Sequence, residues 1–516
     1  MAVLNEPAPA RGGFVAADRG RVRLVLFVCL ATLAVAPFWQ ARWGVIPDTS
    51  WIITVCERVL AGDRLYADLI ETNPPFSVWL YLPAVYLAKQ LGVAPEYIVH
   101  AYAYAVCLFG LGFAVFVARR ARLQENPALL ILMPAFLALL VLFPGNSFSE
   151  REHLGVALLL PLLVLTAWRA SHGGSSKPEW WLAALVGLSG SVMLLVKPYY
   201  ALTILAPALW IAWRQRSIKP LFAIEYWVIG GVCLGYLAAI LLAYPEFLRD
   251  VYPRLADTYM RYKVYSPIFI IYGGIFTLLF GSALLLRGGR ALSPMETVLM
   301  IASAASVLPL IYQGKGWAYH AYPAVALVVA AVLCLATERA TAPDAPRLNI
   351  AHKVLLPVVI LISWLPFLIG ARSGPDFVAS IHAAVDHPTV GQIGPGIEIG
   401  HPLTRMIGGR WISAYCSDWL GNFAAIFARQ ERAQGNMDRA AHYDALERDF
   451  LTAKIQEFVT GKPDLIFVQK SAPFWVDRVM KRDDFAKFMD DYRTLAEDQN
   501  VRVYLRNGSG KVVLNN

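Results

Sequence analysis

The chain has 516 residues, 57% of them hydrophobic and 16% charged, with a mean hydropathy of +0.49. A water-soluble protein of this length cannot hide that much apolar surface, so composition excludes a soluble class and points to a polytopic membrane protein. The net charge of +9 does not mark a nucleic-acid binder, because Lys and Arg stand in short clusters between apolar runs, as they do when they set topology in a bilayer.

The polar, basic stretch 1–23 precedes a long apolar run without a small-residue cleavage site, which predicts an uncleaved first span and not a signal peptide. Apolar runs of about 17 to 25 residues suffice to cross the hydrocarbon layer as helices. Eleven centre near residues 31, 107, 136, 161, 188, 206, 232, 276, 302, 329 and 362. The stretch 76–92 is short and amphipathic and contains Pro83, so it is expected to lie in the interface. Basic clusters precede the first run (Arg11, Arg19, Arg21, Arg23) and follow the second ("RRAR", 119–122), sixth ("RQRSIK", 214–219) and eighth ("RGGR", 287–290). With Arg339, Arg347 and Lys353 before the eleventh, all fall on one side if the N-terminus is cytoplasmic. The odd number of spans then puts the C-terminus outside. The first outer loop covers about 41–97, and residues 1–372 form the membrane module.

From 373 to 516 the hydropathy drops. A helical period runs over 436–459, and "DLIFVQK" (464–470) and "VRVYLR" (501–506) read as strands, so a small α/β domain outside the membrane is expected. Six scattered cysteines without CxxC spacing suggest neither a disulfide framework nor a thiolate metal site.

Reactive residue types gather in the outer loops. The first loop carries Asp48, Glu57, Asp63, Asp68 and Glu71, the last just before Asn73-Pro74-Pro75, a corner stiffened by proline. "SEREH" brings Glu150, Arg151, Glu152 and His153 to the mouth of two spans; Lys197 ends another, and Lys315, Tyr319 and His320 stand between two more. Ionisable groups at a membrane boundary are costly unless paired or functional. Each has a plainer reading: Asp48 in "PDTSW" as a helix N-cap, Glu57, Asp63 and Asp68 as a solvated face, "SEREH" as a self-satisfied ion-pair cluster, Lys197 as a snorkelling lysine, and Lys315 and His320 as loop anchors.

The order of these elements carries a family likeness. An early outer Asp, "LAGDRLYADLIETNPPFSVWLYLP", "SEREHLGVALLLPLL", "LLVKPYY" and "QGKGWAYHAYP" together resemble the GT-C superfamily over about residues 22–370. These are integral-membrane glycosyltransferases dependent on polyprenyl-phosphate sugars, and they include protein O-mannosyltransferases, aminoarabinose transferases and arabinosyltransferases. "ETNPP" departs from the pattern, with no basic residue where relatives carry Lys-Pro or His-Pro-Pro. The resemblance implies a GT-C-like helical fold with about 11 transmembrane helices, interfacial helices on the periplasmic side and the C-terminal α/β domain. It also implies residence in a bacterial inner membrane, and inverting transfer from a polyprenyl-phosphate-linked sugar to a glycan, lipid or protein acceptor, with membrane lipids and no nucleic acid as partners.

Such a transfer needs a base for the acceptor hydroxyl and cations for the departing phosphate, not the paired carboxylates of hydrolysis. The resemblance assigns catalysis to Asp48, Glu150 and Glu152. It assigns donor phosphate and lipid to Arg151, His153, Lys197, Lys315, Tyr319 and His320, and substrate positioning to Glu71 and Asn73. No metal is required on this reading, although Asp48 with Glu150 or Glu152 leaves room for a loosely held divalent cation. Alternatives from other classes are an O-antigen ligase- or polymerase-like transferase, a lipid-linked-sugar flippase and a non-catalytic scaffold. A flippase would call for ionisable sites near the midplane, and the span interiors carry none.

Overall fold

A computed structural model describes residues 19–121, 123, 128–171, 177–341, 350–370 and 375–511. Arg11, Arg122 and Arg347 of the basic clusters lie outside the described residues, as does the start of the expected C-terminal domain. Each of the eleven apolar centres falls on a helix. Among the described residues seven helices are long and apolar enough to cross a bilayer: Arg19–Gln40, Pro95–Arg120, Arg151–Ser171, Ile224–Ala243, Ile268–Arg287, Pro294–Gln313 and Ala318–Ala340. The other four are the shorter apolar helices Ala128–Val141, Trp180–Val196, Ala201–Arg214 and Ile350–Leu368. Trp180–Val196 stops short because Lys197 is extended and the 3-10 turn Pro198–Tyr200 intervenes before the chain re-enters a helix.

Helices Arg151–Ser171 and Ala318–Thr341 form the middle of the bundle, buried along most of their length. Gly110 lets Pro95–Arg120 approach Arg151–Ser171 closely: a Cβ there would lie 2.1 Å from the Ala157 carbonyl oxygen. Arg151–Ser171 has 21 residues, a rise of about 30 Å, so its two ends sit in different environments. Arg169 at its far end pairs with buried Glu225 at 2.6 and 2.8 Å. Pro294–Gln313 begins with a capping box in which Ser293 and Glu296 satisfy each other's backbone N–H, and Arg290 reaches Glu296 at 2.5 Å.

The near end is roofed by the first loop. Its main helix is Pro47–Leu60. Ile46 is the N-cap and Pro47 opens the first turn, so Asp48 stands inside that turn and does not cap it. The stretch 76–92 is not one helix but two, Phe76–Trp79 and Leu82–Leu91. They break at Leu80 and Tyr81 ahead of Pro83, and the second ends on Gly92 at φ 66°.

Beyond the last apolar helix lies a five-stranded mixed sheet: β1 (Thr389–Ile393), β2 (Arg410–Trp411), β3 (Leu465–Gln469), β4 (Tyr492–Glu497) and β5 (Val501–Arg506), in the order β2-β1-β3-β5-β4. β1 runs parallel to β2 and β3, and β5 is antiparallel to β3 and β4. The helix Met437–Gly461 covers the sheet, with Phe458 against Gly391. The sheet region is tied to the roof by hydrogen bonds. The Ile70 N–H donates to the Ala414 carbonyl at 2.9 Å and Arg58 Nη1 to the Ser413 carbonyl at 2.7 Å. Arg405 bridges Glu96 at 2.5 Å and Glu57. Glu57 is therefore an inter-region partner and not part of a solvated face, whereas Asp63 and Asp68 pair locally with Arg58 and Arg64.

Candidate active site

Arg151 is the first residue of its helix, almost fully buried, and surrounded by carboxylates. Its Nη2 lies 3.8 Å from Asp48 Oδ1 and 3.9 Å from Glu150 Oε2, and its Nη1 lies 3.9 Å from Glu71 Oε1. These are ion-pair distances but too long for direct hydrogen bonds. Arg151 Nη1 and Glu150 Oε2 are buried and have no hydrogen-bond partner among the described residues. A buried guanidinium and carboxylate left unsatisfied cost stability unless something else fills the gap.

The carboxylates are held from behind. Glu71 accepts from Trp51 Nε1 at 2.5 Å, from the Asn73 N–H at 2.9 Å and from Asn73 Nδ2 at 2.6 Å. The Asn73 carbonyl in turn accepts from the Tyr66 hydroxyl at 2.5 Å. Glu150 Oε1 accepts from Thr49 Oγ1 at 2.6 Å. Asp48 has no such clamp, and its side chain keeps 26% of its exposure. It is the carboxylate most open to an incoming group.

Next to this cluster, Lys197 Nζ sits in a second network. It donates to Glu152 at 2.5 Å and to Gln313 Oε1 at 2.6 Å, and lies 3.0 Å from His320 Nε2. His320 Nδ1 and Glu152 Oε2 are buried and unpartnered. The Tyr319 ring packs 4.4 Å from His320 and lies 5.6 Å from Lys197 Nζ. Asp48, Glu71, Glu150, Arg151, Glu152, Lys197, Tyr319 and His320 thus share one end of the bundle, with Asn73 supporting Glu71.

Two of the expected residues spend their polar groups on main chain. His153 turns into the bundle: Nε2 bonds the Leu140 carbonyl at 2.7 Å and Nδ1 accepts from the Ser149 N–H at 3.2 Å. Both ring nitrogens are spent on main chain, so His153 leaves the phosphate-side set. Lys315 Nζ donates to the Tyr259 and Tyr262 carbonyls at 2.7 and 2.8 Å and lies 4.0 Å over the Tyr259 ring. It pins the segment around 259–262, which Arg261 also ties to Glu431 and Tyr443 at 2.6 Å. Thr49, Trp51 and Gln313 belong to the site although sequence reasoning did not single them out. Thr49 and Trp51 carry no signal beyond proximity to Asp48, and Gln313 only that of an amide at a span end.

Burial pushes the Asp48 carboxyl up to about 6, with Arg151 pulling it back and Glu71 adding to the rise. Burial also lifts Glu150, to about 8, helped by the charge of Asp48. Near neutral pH, Asp48 is mostly ionised and Glu150 mostly protonated, the split expected of two crowded carboxyls. Burial lowers Lys315 to about 7, with Lys263 adding to the fall.

No protein-family model and no curated protein matches this chain. Among solved structures, ArnT from Cupriavidus metallidurans bound to undecaprenyl phosphate aligns with a TM-score of 0.53 at 14% identity, over 95% of this chain and 98% of that one. ArnT is an aminoarabinose transferase of the GT-C superfamily. The chain has the GT-C fold. A looser likeness, with a TM-score of 0.45 and 9% identity, links it to the archaeal oligosaccharyltransferase AglB from Archaeoglobus fulgidus in complex with an inhibitory peptide and a dolichol-phosphate; it covers 92% of this chain and 72% of that one. Within the GT-C fold, the Arg151 cluster occupies the bundle end under the first loop and the C-terminal sheet.

Proposed function

We propose that the protein is an inverting glycosyltransferase that moves a sugar from a polyprenyl-phosphate donor to an envelope glycan, lipid or protein acceptor. The reaction is assigned to the extracytoplasmic face of a bacterial inner membrane, with the N-terminus cytoplasmic and a C-terminal α/β domain over 373–516 outside. The observation that carries this reading is Arg151: a buried cation ringed by carboxylates at 3.8–3.9 Å, with Nη1 unpartnered. The shared fold with a structure that holds undecaprenyl phosphate supports the same donor class.

In this reading Asp48 takes the proton of the acceptor hydroxyl. Its carboxyl, at about 6, is ionised near pH 7 yet basic enough to accept a proton, the match a general base needs. The acceptor oxygen attacks the anomeric carbon, the bond from that carbon to the phosphate oxygen breaks, and polyprenyl phosphate leaves with the bonding electron pair. Arg151 meets the growing negative charge, with the Lys197–His320 pair beside it. Glu71, fixed by Trp51 and Asn73, positions Arg151. Protonated Glu150 offers an O–H donor instead of a second negative charge. In this reading no divalent cation takes part in the step. Among the described residues no group of three or more His, Cys, Asp or Glu converges as a ligand set, and Glu71 and Glu152 are committed to Trp51, Asn73 and Lys197.

The test is turnover in lipid vesicles with a native extract of polyprenyl-linked sugars and a panel of envelope acceptors. Free polyprenyl phosphate should accumulate only when donor and acceptor are both present, and the donor mass consumed identifies the sugar. Donor binding without release, under every acceptor, would turn the reading toward a carrier of the lipid-linked sugar.

A further inference from the structure

Ala414 and Tyr415 wall two neighbouring cavities. The first, of 140 Å³, lies in the C-terminal region between the β1–β2 edge and the helix Met437–Gly461, and is lined by Gln392, Trp411, Ser417, Phe450, Lys454 and Glu457 among others. At about 30 Å³ per water in the liquid it has space for about five waters. The second, of 370 Å³, opens between the first loop, the segment around 246–254 and the C-terminal region, with Tyr66, Ile70, Glu246, Arg254 and Trp419 in its wall.

The lining of the first cavity narrows the ligand class. Lys454 Nζ pairs with Asp418 at 2.5 Å, and Asp418 also accepts from the Gly394 N–H at 2.9 Å and Trp475 Nε1 at 2.8 Å. That cation is neutralised, so no free positive charge invites a phosphate or carboxylate. Gln392 is fully buried, and its amide nitrogen donates to the Gly394 and Gly396 carbonyls at 2.8 and 2.7 Å. Those bonds fix the amide and leave Oε1 a buried acceptor with no partner. Glu457 accepts from the Ala414 N–H at 2.6 Å at the same wall. Hydroxyl, amide and carboxylate groups interleaved with the rings of Trp411, Tyr415 and Phe450 suit a neutral polyhydroxylated ring, which offers hydroxyls at its edge and C–H groups on its faces.

The second cavity extends the track. Ile70 in its wall is one residue from Glu71, and it is held to the C-terminal region by the Ile70–Ala414 hydrogen bond of 2.9 Å. We propose that the cavity walled by Gln392, Tyr415 and Glu457 is a binding subsite for a sugar residue of a glycan chain, which crosses Tyr415 and runs through the second cavity toward the Arg151 cluster. That this glycan is the acceptor rests on the transferase reading; that the cavity binds sugar does not.

The test uses the full chain in lipid nanodiscs and saturation-transfer NMR with five free sugars: glucose, galactose, mannose, arabinose and N-acetylglucosamine. Ala453 lines the cavity from an exposed helix position, so Ala453→Trp fills the space without removing any packing. Wild type should transfer saturation to at least one sugar. The signal should fall about tenfold in Ala453→Trp and in the isosteric Glu457→Gln. Asp48→Asn should bind like wild type, which keeps a failure of the catalytic reading distinct from a failure of this one. Should Ala453→Trp melt earlier than wild type, Glu457→Gln decides alone. Absence of transfer to all five sugars, or a signal the deciding variant leaves unchanged, would overturn the proposal.

Discussion

Arg151→Met removes a charge and keeps the bulk of the side chain. Arg151 Nη2 lies 3.8 Å from Asp48 Oδ1. At an effective dielectric of about 20, unit charges so placed interact by about 4 kcal/mol. Asp48 keeps 26% of its side-chain exposure, and solvent screening there reduces the coupling to about 1–2 kcal/mol, or roughly one pK unit. Without Arg151 the Asp48 carboxyl should therefore rise from about 6 to about 7. Because the base must be ionised, activity is lost on the acid side, and the acid limb of kcat/KM moves up by the same amount. The plateau at high pH should fall about 10²-fold through loss of phosphate stabilisation. Arg151→Lys should restore the acid limb but not the full plateau, since an ammonium lacks the guanidinium fork. The assay is the pH profile of polyprenyl-phosphate release between about pH 5 and 9, the range that spans both carboxyls. An acid limb unmoved in Arg151→Met would refute the coupling to Asp48.

Further outcomes follow from the same geometry. Glu150 holds its proton in the folded state up to about 8, against an ordinary 4.5. Its contribution to stability is fully present below the unfolded value and is lost as pH rises through the folded one. Glu150→Gln cannot ionise, so its melting temperature relative to wild type should climb from pH 5 to pH 9, read by intrinsic fluorescence; a flat difference contradicts the burial of that carboxyl. Trp51→Phe removes the 2.5 Å bond to Glu71 and should lower kcat about tenfold or more with little change in KM, a loss of positioning; unchanged kcat would remove Glu71 from the account. His153→Phe removes the bond to the Leu140 carbonyl, which keeps only Cys107 Sγ at 3.8 Å, and leaves the Ser149 N–H unpaired. It should cost about 1–3 kcal/mol of stability while turnover per folded molecule stays near wild type, and a selective loss of turnover would return His153 to the phosphate side.

The apolar helices were legible because membrane length is written in composition: every apolar centre is a helix. Span count was not equally legible: among the described residues seven helices reach membrane length, and Lys197-Pro198 stops Trp180–Val196 short. In the C-terminal region, "DLIFVQK" and "VRVYLR" announced β3 and β5. β1 hid behind glycine in "TVGQI", β2 has only two residues, and β4 reads as the polar "YRTLAE". "SEREH" pointed to the bundle end where these ionisable groups gather but not to the facing. Arg151 and His153 are two residues apart on a helix, about 200° around its axis, so one faces the carboxylates and the other the bundle. For Lys315 the sequence left a site role and a loop anchor side by side: its partners are the carbonyls of Tyr259 and Tyr262, more than fifty residues earlier, which no local pattern reveals.

Asp48 bears the most weight, and Asp48→Asn tests it most directly. The side chain keeps its shape and loses its basicity, so the variant should bind the polyprenyl-phosphate donor as wild type does. In a single turnover with donor and acceptor in vesicles, release of free polyprenyl phosphate should fall by about 10²–10⁴-fold, the usual worth of a general base. Release at the wild-type rate would contradict the assignment of Asp48 as the base and, with it, the account of the Arg151 cluster as the catalytic centre.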